Sequence, residues 1–249
     1  MNILAIDGSG LVAGISVLTE EKVLVDYSVN HKKTHSQTLL PMIDEVMQMI
    51  EMEPGNLDYI AVAGGPGSFT GLRICASTAK GLGLALNIPL VGVKSLEALA
   101  YNFEGTTDVI CPMMDARRGQ VYTGLYTFAD DGKGGSVFTV LKDQCAVSAE
   151  EILEAARTTG KRVIFLGDGV EVHKEKIAEV MGENYLLAPE HMLVQRGASL
   201  GRCAVRMINE GNTISATDFV PDYLRLSQAE REKLERGEDL PERETNDNF

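Results

Sequence analysis

Apolar and polar residues follow two periods along the chain, and the switches between them mark out the elements. Residues 3–6 form a short apolar run that predicts a buried strand, stopped by Asp7-Gly8-Ser9-Gly10. Residues 14–18 and 22–26 predict two further strands joined at Glu20-Glu21. The period then changes to that of a helix. Thr34 with Gln37 three residues on is a capping-box pattern, and Leu39, Ile43, Val46 and Ile50 recur at helical spacing. Pro41 falls early in this helix and predicts a bend or a late start. A strand over 57–63 leads through Gly64-Gly65-Pro66-Gly67-Ser68 into a second helix over 69–86, stopped at Asn87-Ile88-Pro89. A strand over 90–93 and a helix started by Ser95 and running through Ala100 close a first lobe, residues 1–105.

The second lobe, residues 106–226, opens in the same way. An apolar strand over 109–115 ends in Asp115, turns over 116–119 and returns as an alternating strand over 120–128. The glycine-rich stretch 132–135 predicts a hairpin turn, and Ser148 caps a helix through Arg157. A strand over 162–166 runs into Gly167-Asp168-Gly169, and a late helix rich in small residues covers 198–209. The tail, 227–249, is almost wholly charged and polar, which predicts a short helix followed by disorder. Each lobe thus begins with a strand ending in Asp, a tight turn and a returning strand. This weak repeat is the pattern of a duplicated α/β lobe, in which facing hairpins can grip a nucleotide's phosphates.

Charge narrows the classes of partner. The chain has a formal net charge of -13, which disfavours stand-alone binding of RNA or DNA and leaves only a local basic patch for such contact. Four scattered cysteines (Cys75, Cys111, Cys145 and Cys203) form no metal-binding or disulfide pattern. The first residues lack a signal-peptide pattern, and no apolar run approaches the roughly 20 residues that span a bilayer. Together these features predict a cytoplasmic protein.

Three stretches are candidates for chemistry or contact. Asp7, Gly8 and Ser9 could cradle a phosphate through backbone N–H groups and a hydroxyl, although the same residues make an ordinary tight turn. The matching turn of the second lobe offers Arg117 and Arg118, poor material for such a cradle but able to hold an anion. His31 and His35 have metal-ligand spacing, yet His31 falls before the helix cap and no third ligand is near, so no metal site is expected. On a wheel of about 100° per residue, Leu39, Ile43, Val46 and Ile50 form one stripe of the first helix. Leu40, Met42, Met47 and Met49 widen it to about half the circumference, more than packing on a sheet requires. The second helix is rich in small residues (Gly71, Ala76, Ser77, Ala79, Gly81, Gly83, Ala85), as expected where another backbone comes close. These two helices are the expected partner surface, through Leu39, Leu40, Met42, Ile43, Val46, Met47 and Ile50 on the first. Gly71, Leu72, Cys75, Ala79 and Leu82 complete it on the second.

With these segments laid out, the chain resembles the TsaB (YeaZ) family. The resemblance is carried by residues 3–7, by Thr34-His35-Ser36-Gln37 with 39–44, by the run GGPGSFTGLR at 64–73 and by 77–82. It continues through 88–96, Asp115-Ala116-Arg117-Arg118-Gly119-Gln120-Val121-Tyr122 and Pro221-Asp222-Tyr223-Leu224-Arg225. It implies the actin/sugar-kinase/Hsp70 (ASKHA) fold, α/β with two duplicated lobes of mixed sheets flanked by helices. It also implies a non-catalytic role in making threonylcarbamoyladenosine at position 37 of tRNAs that read ANN codons. On the family pattern the chain pairs directly with TsaD, which carries the metal and the transfer chemistry, and joins the ATPase TsaE in the complex. The same helices can form a homodimer. No cofactor is expected to be held tightly by this chain alone, ATP or ADP and a metal entering with the complex, and tRNA is met only there. Where TsaD has its H-x-x-x-H metal run, this chain has Ser95-Leu96-Glu97-Ala98-Leu99. The alternative is an autonomous ASKHA-type ATPase or small-molecule kinase acting through Asp7 and Ser9.

Overall fold

The computed structural model describes residues 1–31, 34–132, 134–224 and 236. The first sheet is built from β1 (Ile3–Asp7), β2 (Ala13–Leu18), β3 (Val23–Val29), β4 (Tyr59–Gly65) and β5 (Leu90–Lys94), in the order β3-β2-β1-β4-β5. β1 pairs antiparallel with β2 and parallel with β4. Every side chain of β1 and β2 is buried because both faces of the sheet are covered. Leu4 and Ile6 point to α1 (His35–Met49) and α2 (Phe69–Leu86), packing with Leu39, Ile43, Val46, Cys75 and Ala79. The alternate residues Ile3 and Ala5 pack with α3 (Ser95–Ala100) and α6 (Gly197–Asn209) on the other face.

The second sheet comprises β6 (Val109–Asp115), β7 (Gln120–Asp130), β8 (Ser136–Ser148), β9 (Val163–Leu166) and β10 (Tyr185–Leu187). Read from its antiparallel edge, its order β8-β7-β6-β9-β10 repeats that of the first sheet. Helices α4 (Ala149–Thr158) and α5 (Gly169–Met181) cover one face through Ile152, Leu153, Val170 and Ile177. Ile110, Met114, Tyr126 and Phe128 join the α3/α6 core, so the two sheets share one apolar layer. This duplicated, two-sheet α/β architecture is the one that the family resemblance implies.

Several sequence expectations change. The chain does not stay in the second lobe to residue 226. Helix α6 returns to the first sheet and packs on β1 and β2, and Ile214 bridges to Leu90 at the edge of that sheet. The physical reason lies in the small residues of α6: a Cβ on Gly197 would stand 2.6 Å from the Ile15 carbonyl carbon, so only glycine lets the helix lie on the β2 backbone. Helix α1 runs unbroken through Pro41. Thr34 sits at its N-cap, but its hydroxyl caps no backbone N–H and faces Ser36 Oγ at 3.2 Å. Ser95 is the first residue of α3 rather than its cap, and its buried hydroxyl has no partner among the described residues. Ser148 does cap α4, accepting from the Glu151 N–H at 3.2 Å. β8, α5 and β10 were not expected from the pattern. The expected features of the tail 227–249 lie outside the described residues, Arg236 apart. No helix among the described residues is long and apolar enough to cross a membrane.

Candidate functional site

The two Asp-ended strands bring their turns to one place. Asp7 closes β1 and is fully buried. Its Oδ1 accepts from the Ser9 N–H at 2.9 Å and from the Ser9 hydroxyl at 2.7 Å, while Oδ2 has no partner among the described residues. Asp115 closes β6 and does the same: its Oδ1 accepts from the Arg117 N–H at 2.7 Å, and Oδ2 pairs with Arg117 Nη1 at 3.0 Å. Both turns are thus fixed by an aspartate bonding the backbone two residues on. The internal repeat extends to this hydrogen bond. Asp168, at the start of α5, accepts from the Asp115 N–H at 3.0 Å and ties the second turn to its lobe.

Between the turns lies a cleft of ≈ 320 Å³, bordered by Ser9, Ser68, Phe69, Asp115, Arg117 and Tyr223 among others. It opens at the carboxyl ends of β1, β4, β6 and β9, where open α/β sheets place their ligands. The first turn, however, is occupied with its own chain. Ser9 spends both donors on Asp7, and its carbonyl accepts from the Ser68 N–H at 2.7 Å. Gly8 lies against Cys75 and His35, and a Cβ on Gly71 would collide with the Gly8 carbonyl. His35, one of the two histidines with ligand spacing, donates through Nε2 to the Gly10 carbonyl at 3.0 Å. Asp7, Gly8 and Ser9 therefore form a packed turn rather than an open phosphate cradle.

Burial pushes the Asp7 carboxyl above its ordinary 3.8, against the lowering pull of the Ser9 bonds and His35. The native state then holds this proton more tightly than the unfolded chain, so Asp7 lowers stability as pH rises from 3.8 past its native value. Asp7→Asn keeps an oxygen for Ser9 and removes the charge. Its urea midpoint, relative to wild type, is expected to improve as pH rises from 3.8 toward the raised native value. A difference independent of pH would show that Asp7 does not titrate in this way.

Arg117 and Arg118 both have left-handed backbone, φ 65 and φ 58. Outside glycine that conformation costs about 1–2 kcal/mol per residue. Both side chains are exposed, Arg117 at 85%. Phe69, Asp168 and Tyr223 border the cleft and were not singled out from the sequence, although Phe69 and Tyr223 stand in two of its most recognisable runs.

The expected partner stripe is largely spent inside the chain. Leu39, Met42, Ile43, Val46 and Met47 of α1, and Gly71, Leu72, Cys75 and Ala79 of α2, are buried because both helices lie over the first sheet. Ile50 and Leu82 are half-buried, and Leu40 is exposed at 57%. The outward face also holds Met49, from the widened stripe of α1, and Ser77, Gly81 and Ala85, from the small residues of α2, together with Leu84, which the sequence did not single out. Among the described residues no group of His, Cys, Asp and Glu side chains is placed to hold a metal ion.

Comparison with known proteins identifies the family. The family model described as "TsaD: tRNA N6-adenosine threonylcarbamoyltransferase" matches residues 24–233. The tRNA threonylcarbamoyladenosine biosynthesis protein TsaB of Bacillus subtilis (strain 168) is 38% identical over 235 residues, covering 94% of this chain and 99% of that protein. The protein of the same description from Escherichia coli (strain K12) is 25% identical over 232 residues, covering 92% and 96%. The solved structure of YeaZ from Pseudomonas aeruginosa shares the fold, with a TM-score of 0.75 at 24% identity over 90% of this chain and 99% of that one. On its sequence, its matched span and its fold, the chain belongs to the TsaB (YeaZ) family of tRNA threonylcarbamoyladenosine biosynthesis proteins.

Proposed function

We propose that the chain is a non-catalytic subunit that binds and positions TsaD for threonylcarbamoyl transfer to adenosine 37 of tRNAs reading ANN codons. The observation that carries this reading is the outward face of α2. Ser77, Gly81 and Ala85 stand four residues apart and exposed, and a Cβ on Gly81 would meet nothing within 4 Å. Glycine in an exposed helix interior costs about 1 kcal/mol relative to alanine, and nothing among the described residues requires it there. A second helix backbone approaching along this stripe does. Leu84, exposed at 57%, and Met49, at 65%, supply apolar surface beside it. The chain itself matches the TsaD family model over residues 24–233, so TsaD, a relative of the same pattern, is the partner we propose, and a second copy of this chain its competitor. TsaE and ATP or ADP join at the level of the complex.

The catalytic alternative lacks support from the cleft, where the donors that would hold a phosphate in the first turn are already committed to Asp7. Gly81→Arg tests the partner face without disturbing the fold, because the site is open and arginine favours helix. Tagged wild type is expected to capture TsaD and the variant to capture about tenfold less, a loss of about 1.4 kcal/mol. Equal capture would remove this face from the interface.

A further inference from the structure

We infer that the rim of the cleft holds a single-stranded RNA segment, with phosphates on Arg117 and Arg118 and a base against Phe69 and Tyr223. The inference deepens the proposed role in tRNA modification and rests on it for the identity of the RNA. The chain as a whole is acidic, at -13, yet three exposed arginines gather around one cleft. Arg117 borders the cleft itself, and Arg118 follows it in the same turn. Arg73 lies with its guanidinium 4.0 Å above the Phe69 ring and donates from Nε to the Tyr223 hydroxyl at 3.4 Å. The Phe69 and Tyr223 rings stand 4.8 Å apart and both border the cleft.

Aromatic faces beside guanidinium groups are what single-stranded nucleic acid recognition uses: rings stack on bases and arginines follow the backbone. At ≈ 320 Å³ the cleft lies at the small end of ligand pockets, with room for a base and its sugar but not for a duplex. Arg118 has no ion-pair partner among the described residues, and Arg117 stays exposed even while paired with Asp115. Two consecutive arginines in left-handed backbone are strained where glycine or asparagine would not be, and strain of this kind concentrates at binding sites. The carboxylates of Asp115, Asp168 and Asp222 also border the cleft. They exclude phosphate from its interior and leave the arginine rim as its place.

The test uses the full chain at about 50 mM salt, titrated by fluorescence anisotropy against a labelled unmodified tRNA transcript, with AMP and ATP as competitors. The variant is Arg117→Asn/Arg118→Gly, which removes both charges while placing residues that accept left-handed backbone, so that loss of folding is not the cause of any effect. Wild type is expected to bind RNA, and the variant about tenfold more weakly. The slope of log affinity against log salt should become shallower by about 1.4–1.8, the share of two phosphates at about 0.7–0.9 each. Neither mononucleotide should displace the RNA at micromolar concentration. Absence of RNA binding by wild type, an unchanged slope in the variant, or displacement by micromolar AMP or ATP would each overturn the inference. The last result would assign the rim to a free nucleotide. TsaD capture by the same variant is expected to equal wild type, so failure here leaves the partner-face proposal standing.

Discussion

Replacing Gly71 by valine is expected to destabilise the protein by about 3 kcal/mol, at the upper end of overpacking effects. Gly71 sits in the first turn of α2, and a Cβ there would collide with the Gly8 carbonyl of the Asp7 turn. The obstacle is backbone held by the Asp7–Ser9 bonds, so no flexible side chain can swing away. Either the helix lifts from the sheet or the turn breaks. Urea unfolding would register the change as a lower midpoint. An unchanged midpoint would mean that α2 and the turn are not in this close contact. The contrast with Gly81, ten residues along the same helix, is informative: there an arginine is expected to fold normally and fail only in partner capture. Gly71 thus lets α2 close on the Asp7 turn, while a Cβ on Gly81 would meet nothing within 4 Å.

A loss of similar size is expected for Arg206→Met. Arg206 of α6 pairs with Glu97 of α3 at 2.7 Å, with side-chain exposures of 29% and 10%. Its Nε donates to the Tyr101 hydroxyl at 3.2 Å, and its guanidinium lies 5.1 Å from the ring centre of Phe138 on β8. It thus links both lobes at one point. Breaking a buried pair from one side costs about 3–5 kcal/mol, and the partial exposure of Arg206 sets the expectation near 3. Burial already pushes the Glu97 carboxyl above its ordinary 4.5 despite the opposing pull of Arg206. Without Arg206 that rise is larger. The native state then binds the proton more tightly than the unfolded chain, so the penalty is greatest at neutral pH and shrinks as pH falls toward 4.5. Glu97→Leu/Arg206→Met should recover most of the loss, since no buried charge is left unpaired and Glu210, the other carboxylate on Arg206, is exposed. Additive losses in the double variant would contradict this account.

Much of the fold was legible because local rules and tertiary packing agree. α2 begins at Phe69 and ends at Leu86, bounded by the Ser68 cap and by Asn87 in left-handed backbone. The Asp7 and Asp115 strand ends announced the duplication. β8 was missed because it is a half-exposed edge strand, with Val137, Val140 and Leu141 facing outward and no clean alternation to read. α5 was hidden behind Gly167-Asp168-Gly169, which reads as a loop although Asp168 is the residue from which the helix starts. The return of α6 to the first sheet is a long-range packing event that no local period encodes. At the cleft, the sequence marked the two turns that border it but not their state. Whether Ser9 donates to a phosphate or to Asp7 depends on distances of 2.7–2.9 Å that only folding sets. The stripe expected at the partner face is buried for a related reason: a wheel finds apolar residues, and the most apolar stripe of α1 is the one its own sheet takes.

The central claim is that this chain contributes a surface and not a reaction. Reconstituted threonylcarbamoyl transfer to unmodified tRNA, with TsaD supplied and this chain added as wild type, Gly81→Arg or Ser9→Ala, tests it most directly. The account predicts that Gly81→Arg lowers the yield of modified adenosine about tenfold, while Ser9→Ala supports the reaction at the wild-type level. An active Gly81→Arg together with an inactive Ser9→Ala would place the chemistry in this chain's own cleft and contradict it.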